Sequence, residues 1–273
     1  MYLNYWQLAS KPFEPNAEGG AFFPCESHEA ALLKLRYAVE NRRGAVLLAG
    51  PAGVGKTMLV RRFCQELDKS YRPQVHLVFP QMSSRDLLVY LAEQLGAPAL
   101  DPPRHTIEES VRRLELLLQQ NAKQGRHAIV AIDEAHLLED CGALETLRLL
   151  LNFEHAGQPA LTLVLIGQMS LVSAVGRLTS LEERLAVKSL VRSFTAEETI
   201  EYVRHRLRAA GASRDIFTPD ALEALHYLGH GTARQINRLG DLALLVGFAD
   251  SLPRLTAHEI EAVSEELVTI NVD

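Results

Sequence analysis

The sequence predicts an α/β fold: a mainly parallel sheet covered by helices on both faces, followed by a small all-helical domain. Three observations predict it. Apolar runs of strand length alternate with helical patterns up to about residue 194. A glycine-rich turn joins the first of these runs directly to a helix. Beyond that point only helical patterns remain.

In chain order, residues 1–24 are aromatic and proline-rich, with Tyr5, Trp6, Phe13, Phe22 and Phe23. A disordered tail is seldom so aromatic, so an ordered arm packed on a domain is expected. Ala30, Leu33 and Tyr37 fall at helical spacing within 27–41, with Ser27 as the N-cap. AVLLA (45–49), VHLVF (75–79), AIVAI (128–132) and TLVLI (162–166) read as buried strands, and AVKSLV (186–191) as a weaker fifth. Near-continuous apolar runs are what strands covered on both faces require. Helical patterns separate them at 56–68, 84–95, 106–122 and 143–151; the third opens with a Thr106-x-x-Glu109 capping box. PALDPPRH at 98–105 is read as a loop inside this first domain. Thr195-x-x-Glu198 then opens a helix to about 210, Thr218-Pro219 a second, 232–248 forms a third, and Thr256-x-x-Glu259 opens the last. The expected division is 1–194, with the aromatic arm, and 195–273.

Bulk properties narrow the class. With 47% hydrophobic and 23% charged residues, 273 residues suffice for one large or two modest domains. A net charge of −6 argues against indiscriminate binding to nucleic acid or anionic membrane, although Arg36, Arg42, Arg43, Arg61 and Arg62 could form a local basic stripe, a solvated face being the other reading. Cys25, Cys64 and Cys141 are far apart and form no C-x-x-C, which suits thiols in a reducing compartment. The N-terminus shows no basic and apolar leader, and runs such as LTLVLIG (161–167) are too short to span a bilayer. A cytoplasmic location is expected.

The chemistry begins at GPAGVGKTM, that is Gly50, Pro51, Ala52, Gly53, Val54, Gly55, Lys56, Thr57 and Met58. It fits G-x-x-x-x-G-K-[ST], the phosphate-binding loop, with the required strand before it and helix after it. Glycines let backbone N–H groups turn inward around an anion. Lys56 reaches the outer phosphates of a nucleoside triphosphate, the Thr57 hydroxyl ligates Mg²⁺, and the helix N-terminus adds its positive dipole end. AIVAIDEAHLL (128–138) supplies the companion: Asp133 and Glu134 emerge at the carboxyl end of a buried strand. Asp133 would hold Mg²⁺ through water and Glu134 would polarise the attacking water as general base. DEAH also spells a helicase signature, but such helicases carry two sheet domains; His136 is read as a local contact. Gln168 ends the strand LTLVLIG and reaches the γ-phosphate or the water if that strand lies beside the Asp133 strand; otherwise it is a polar strand cap. Arg184 precedes the last strand, where an arginine can cross to a neighbour's phosphate; Arg177 and Arg192 are its rivals. Arg234, near the start of a helix in the small domain, could fold over the nucleotide in cis; a salt-bridged surface arginine is the alternative.

These residues stand in an order that resembles the ExeA/GspA-like (general secretion pathway protein A) AAA+ ATPases along essentially the whole chain. The matching stretches are MYLNYWQLASKPFEP, HEAALLKLRYAVENRRGAVLLAGPAGVGKT, IDEAHLL, LRLLLNFE, LVLIGQ, YVRHRLRAAG and FTPDAL…ARQINRLGDLALL. The resemblance implies a P-loop NTPase of AAA+ type, a five-stranded αβα sandwich with a helical lid, using ATP and Mg²⁺. It implies Gln168 as first sensor, Arg184 as finger and Arg234 as second sensor. Gln168 departs from the Asn, Ser or Thr commoner at that position in AAA+ proteins at large. The secretion proteins continue into a membrane span and a peptidoglycan-binding region that this sequence lacks, so a stand-alone form is expected. Two readings stay open: an ATPase that assembles into a ring or filament with ATP and acts on a protein partner of a secretion, pilus or exopolysaccharide export system, or a DNA-bound transposition ATPase (TniB/MuB-like) that recruits a transposase. A nucleotide-gated scaffold that scarcely turns over is a third, against which Glu134 argues.

Overall fold

A computed structural model describes residues 2–14, 22–98 and 106–269. All of 98–105 except Pro98, where a loop was expected, lies outside the described residues. The chain forms two compact units, one of Ser27–Gly50 with Lys56–Val191, the other of Met1–Glu26, Pro51–Gly55 and Arg192–Asp273.

The first unit is built on a five-stranded, all-parallel sheet. Its strands are β1 (Ala45–Ala49), β2 (Gln74–Leu77), β3 (Ala128–Ile132), β4 (Leu161–Gly167) and β5 (Leu185–Leu190), in the order β2-β3-β4-β1-β5. Every residue of β1, β3 and β4 is buried, as the unbroken apolar runs require. Register aligns the carboxyl ends: Ala49 lies opposite Gly167 and Leu190, and Ile132 opposite Leu77 and Leu165. The chain therefore leaves β1, β3 and β4 along one edge, at Gly50, Asp133 and Gln168. Helices Glu26–Glu40, Lys56–Glu66, Ser84–Gln94, Ile107–Lys123 and Ala143–Leu150 accompany the sheet.

Three local readings need correction. Ser27 lies inside the helix Glu26–Glu40 and does not cap it. The second strand stops at Leu77, leaving Val78 and Phe79 exposed, because β2 pairs only with β3, whose last residue Ile132 faces Leu77. Only half of the box at Thr106 forms: its hydroxyl accepts the Glu109 N–H at 3.2 Å, while the Glu109 carboxylate makes no return bond.

His127, just before β3, is buried, with Nε2 2.8 Å from Thr162 Oγ1. Thr162 gives its own proton to Arg43 O at 2.6 Å, so it accepts from His127, which is neutral and protonated on Nε2. Burial, with the nearby Arg42 charge adding to it, pushes the His127 pKa down from 6.5 to about 4. The unfolded chain then binds the extra proton between these two values. The stabilisation is complete above pH 6.5 and is lost as pH falls toward 4, by about 3 kcal/mol in all. Urea unfolding at pH 7 and pH 4.5 should show this loss, and His127→Gln should shrink it; an unchanged pH slope would exclude His127 as its source.

The second unit is helical: Tyr2–Trp6, Ala196–Ala209, Pro219–Leu228, Ala233–Ala249 and Ala257–Thr269. Thr195 and Glu198 form a complete capping box, and Pro219 occupies the first turn of its helix. The aromatic arm belongs here, not to the α/β part as expected. Trp6 is fully buried and donates Nε1–H to Leu244 O at 2.9 Å. Phe13 and Trp6 press on Gly240 and Gly247, where an added Cβ would come within 2.7 and 2.8 Å of their rings. Two glycines seven apart place a groove for two rings on one helix face. Among the described residues no helix is long and apolar enough to cross a membrane.

Candidate active site

The turn after β1 is shaped by backbone demands. At Gly50 an added Cβ would lie 2.2 Å from Val191 O, so only glycine lets the end of β5 pass. Gly53 and Gly55 have φ of 80° and 95°, a left-handed region that other residues enter at a cost. Pro51 and Ala52 are exposed, Val54 is buried, and Lys56 opens the following helix. Lys56 is buried and donates Nζ–H to Gly50 O at 2.9 Å. Thr57 and Met58, the next two residues, are partly buried.

Asp133 emerges from β3, its N–H still bonded to Leu77 O at 2.8 Å. Its Oδ2 accepts the Thr57 hydroxyl at 2.6 Å and its Oδ1 the Glu134 N–H at 3.0 Å. His76 of β2 stands beside it, Nε2 3.6 Å from Oδ2. Burial alone would raise the Asp133 pKa, but the His76 ring, the Thr57 hydroxyl and the Glu134 N–H together hold it below the usual carboxylate value. The group is thus an ionised, buried carboxylate joined to a hydroxyl. That oxygen donor set suits a small hard cation that keeps positions for phosphate oxygens and water. Glu134 follows in a left-handed conformation, φ 49° and ψ 35°, with its carboxylate half exposed and Oε2 3.4 Å from His136 Nδ1.

Because β4 lies between β3 and β1, Gln168 does leave the sheet beside Asp133. It stands at the N-cap of the helix Met169–Arg177, exposed, and its side chain makes no capping bond. Its place beside the Asp133 strand is the adjacency that a reach toward phosphate or water requires.

A family model described as an AAA domain matches residues 39–175, which hold the loop and the Asp133–Glu134 pair. The chain belongs to the AAA family. It is also 32% identical over 276 residues to General secretion pathway protein A of Aeromonas hydrophila, a match covering 97% of this chain and 50% of that protein. It thus spans half the length of this relative. Among solved structures, the Aeropyrum pernix ORC2 protein (TM-score 0.69, 16% identity) covers 94% of this chain and 71% of its own. The Thermotoga maritima RuvB Holliday junction branch migration motor (TM-score 0.62, 21% identity) covers 94% and 73%. At such identities these two show the shared fold alone.

In this AAA chain the four arginines singled out from sequence differ in what holds them. Arg177 pairs with Glu139. Arg192 bonds Glu198 at 2.5 and 3.0 Å and Glu26 at 3.1 Å. Arg184 donates to Asn152 Oδ1 at 3.0 Å and Leu151 O at 3.5 Å, and among the described residues it makes no ion pair. Arg234 donates its backbone N–H to Gly53 O at 3.1 Å; an added Cβ at Gly53 would come within 2.8 Å of Arg234 Cβ. His76 was missed from sequence, although a lone histidine inside the apolar run VHLVF was its signal.

Proposed function

We propose that this AAA chain is a cytoplasmic ATPase that hydrolyses Mg-ATP to drive assembly or remodelling of a protein partner in a secretion, pilus or exopolysaccharide export system. One observation carries the hydrolytic part: the 2.6 Å bond from Thr57 to an ionised Asp133, with Glu134 next in the chain. Thr57 and Asp133 would hold Mg²⁺, which when bound supplies charge to offset that of the phosphates. Lys56 and the loop N–H groups bind the phosphates. Glu134 takes a proton from water, Gln168 orients that water, and Arg234 senses the loop through Gly53. Arg184 acts on the nucleotide of a neighbouring copy. The export setting is supported by the relative named General secretion pathway protein A.

A second reading, DNA binding, is favoured by one feature. Arg204, Arg208 and Arg214 are exposed and line a hollow of about 240 Å³ with Ser213 and Asp215. Among the described residues they make no ion pair. The stripe suspected from sequence is instead partly neutralised: Arg36 and Arg62 share Glu66, at 3.4 and 2.8 Å.

The test is the light-scattering mass of Glu134→Gln in Mg-ATP and in Mg-ADP, with and without a DNA duplex. Assembly in ATP without DNA is the expected result. Assembly only with DNA would transfer the conclusion to the second reading, and a monomer under every condition would remove the role given to Arg184.

A further inference from the structure

We infer that His136 is a positioning residue for Glu134, an inference that rests on reading Glu134 as the group that polarises water. The turn Ala135–Cys141 starts directly after Glu134, whose backbone is left-handed, and the Glu134 carboxylate lies 3.4 Å from the ring of the residue two positions on. The His136 side chain is largely buried, and Nδ1 has no hydrogen-bond partner among the described residues. Its backbone runs close to the end of β4: an added Cβ at Gly167 would come within 3.3 Å of His136 N. A buried ring nitrogen left unpartnered is costly. The acceptor offered to it is Glu134 Oε2 at 3.4 Å.

The ring is largely buried and the carboxylate is half exposed, so the carboxylate is the freer of the two. A small rotation of the Glu134 side chain brings Oε2 to the ordinary distance of about 2.9 Å from an Nδ1–H donor. One carboxylate oxygen is then held and the other is free to accept the proton of a water. The bond removes rotamer freedom that a half-exposed glutamate would otherwise have to lose at each turnover.

The experiment compares the wild type, His136→Leu, His136→Asn, Glu134→Gln and the double variant Glu134→Gln/His136→Leu. It measures kcat and KM for ATP hydrolysis and the affinity for a fluorescent ATP analogue. His136→Leu should lower kcat about tenfold or more with nucleotide affinity unchanged. His136→Asn, whose amide N–H can stand near the Nδ1 position, should return kcat to within about threefold of wild type. In the Glu134→Gln background His136→Leu should cost less than about twofold further, because residues acting as a unit are not additive. A wild-type kcat in His136→Leu, or the full tenfold loss repeated in the Glu134→Gln background, would overturn the inference while leaving Glu134 in its role. Equal turnover in Glu134→Gln and wild type would instead overturn the reading of Glu134, and the inference with it.

Discussion

Arg184→Ala is expected to bind ATP as the wild type does and to hydrolyse it about 10³-fold more slowly. The geometry separates it from its rivals. Arg184 immediately precedes β5, and Leu185 faces Ala45, the first residue of β1, so Arg184 lies at the amino edge of the sheet. Asp133 and Glu134 leave by the opposite edge. Five residues of strand separate the two edges by roughly 16 Å, more than an arginine side chain spans. An Arg184 that acts on nucleotide must therefore act on that of another copy. Its guanidinium is also available, being held among the described residues by Asn152 and a carbonyl, whereas Arg177 and Arg192 are tied to carboxylates. The charge of Arg192 is fixed further, its pKa raised by the bonds to Glu198 and Glu26. Removing Arg184 takes away one exposed bond to Asn152 and one long, part-buried bond to Leu151 O, so melting should change little. Mixing gives a sharper result. Arg184→Ala subunits and Glu134→Gln subunits, each inactive alone, should recover part of the activity together, because some sites then combine an intact Glu134 with a neighbour's Arg184. Wild-type turnover in Arg184→Ala would remove the assignment.

The residues that sequence located well are those whose chemistry needs local order. The loop from Gly50 to Thr57 is a run of adjacent types, and the Asp133–Glu134 pair sits where a buried run ends. In both cases strand, turn and side chain are neighbours in the chain, and periodicity suffices to place them. What was not legible depends on pairing across the sheet. Nothing in VHLVF says that its histidine will stand beside Asp133, because that needs β2 to pair with β3 in the register that sets Leu77 against Ile132. The early end of β2 has the same origin. The unit that the arm joins is illegible in sequence for a related reason: its aromatic residues announce burial but carry no address. The address lay in the helix, at Gly240 and Gly247, where glycine would otherwise weaken the helix by about 1 kcal/mol each.

The last expectation separates two ways of losing the nucleotide. Lys56→Ala should lower ATP affinity by about 10²-fold or more, since truncating one partner of a buried charge contact costs 2–5 kcal/mol or more and 1.4 kcal/mol is tenfold. Its effect on stability should be small. Alanine is the best helix former at the first position of the helix Lys56–Glu66, and the loss includes the bond to Gly50 O. Gly50→Ala should also lose ATP, by a different route. Its Cβ would meet Val191 O at 2.2 Å and Val191 C at 3.2 Å, and both are backbone atoms that cannot swing aside. Either β1 or β5 must shift, which costs about 3 kcal/mol as overpacking does. That corresponds to a fall in Tm of roughly 6 to 12 °C for a domain of this size, against less than about 4 °C for Lys56→Ala. Calorimetric titration with Mg-ATP and a thermal melt of each variant distinguish the two. Wild-type affinity in Lys56→Ala would mean that the loop does not bind phosphates through that amine. An unchanged melt in Gly50→Ala would mean that the end of β5 can yield where the structure holds it tight, and the glycine would then be required by the ligand and not by the fold.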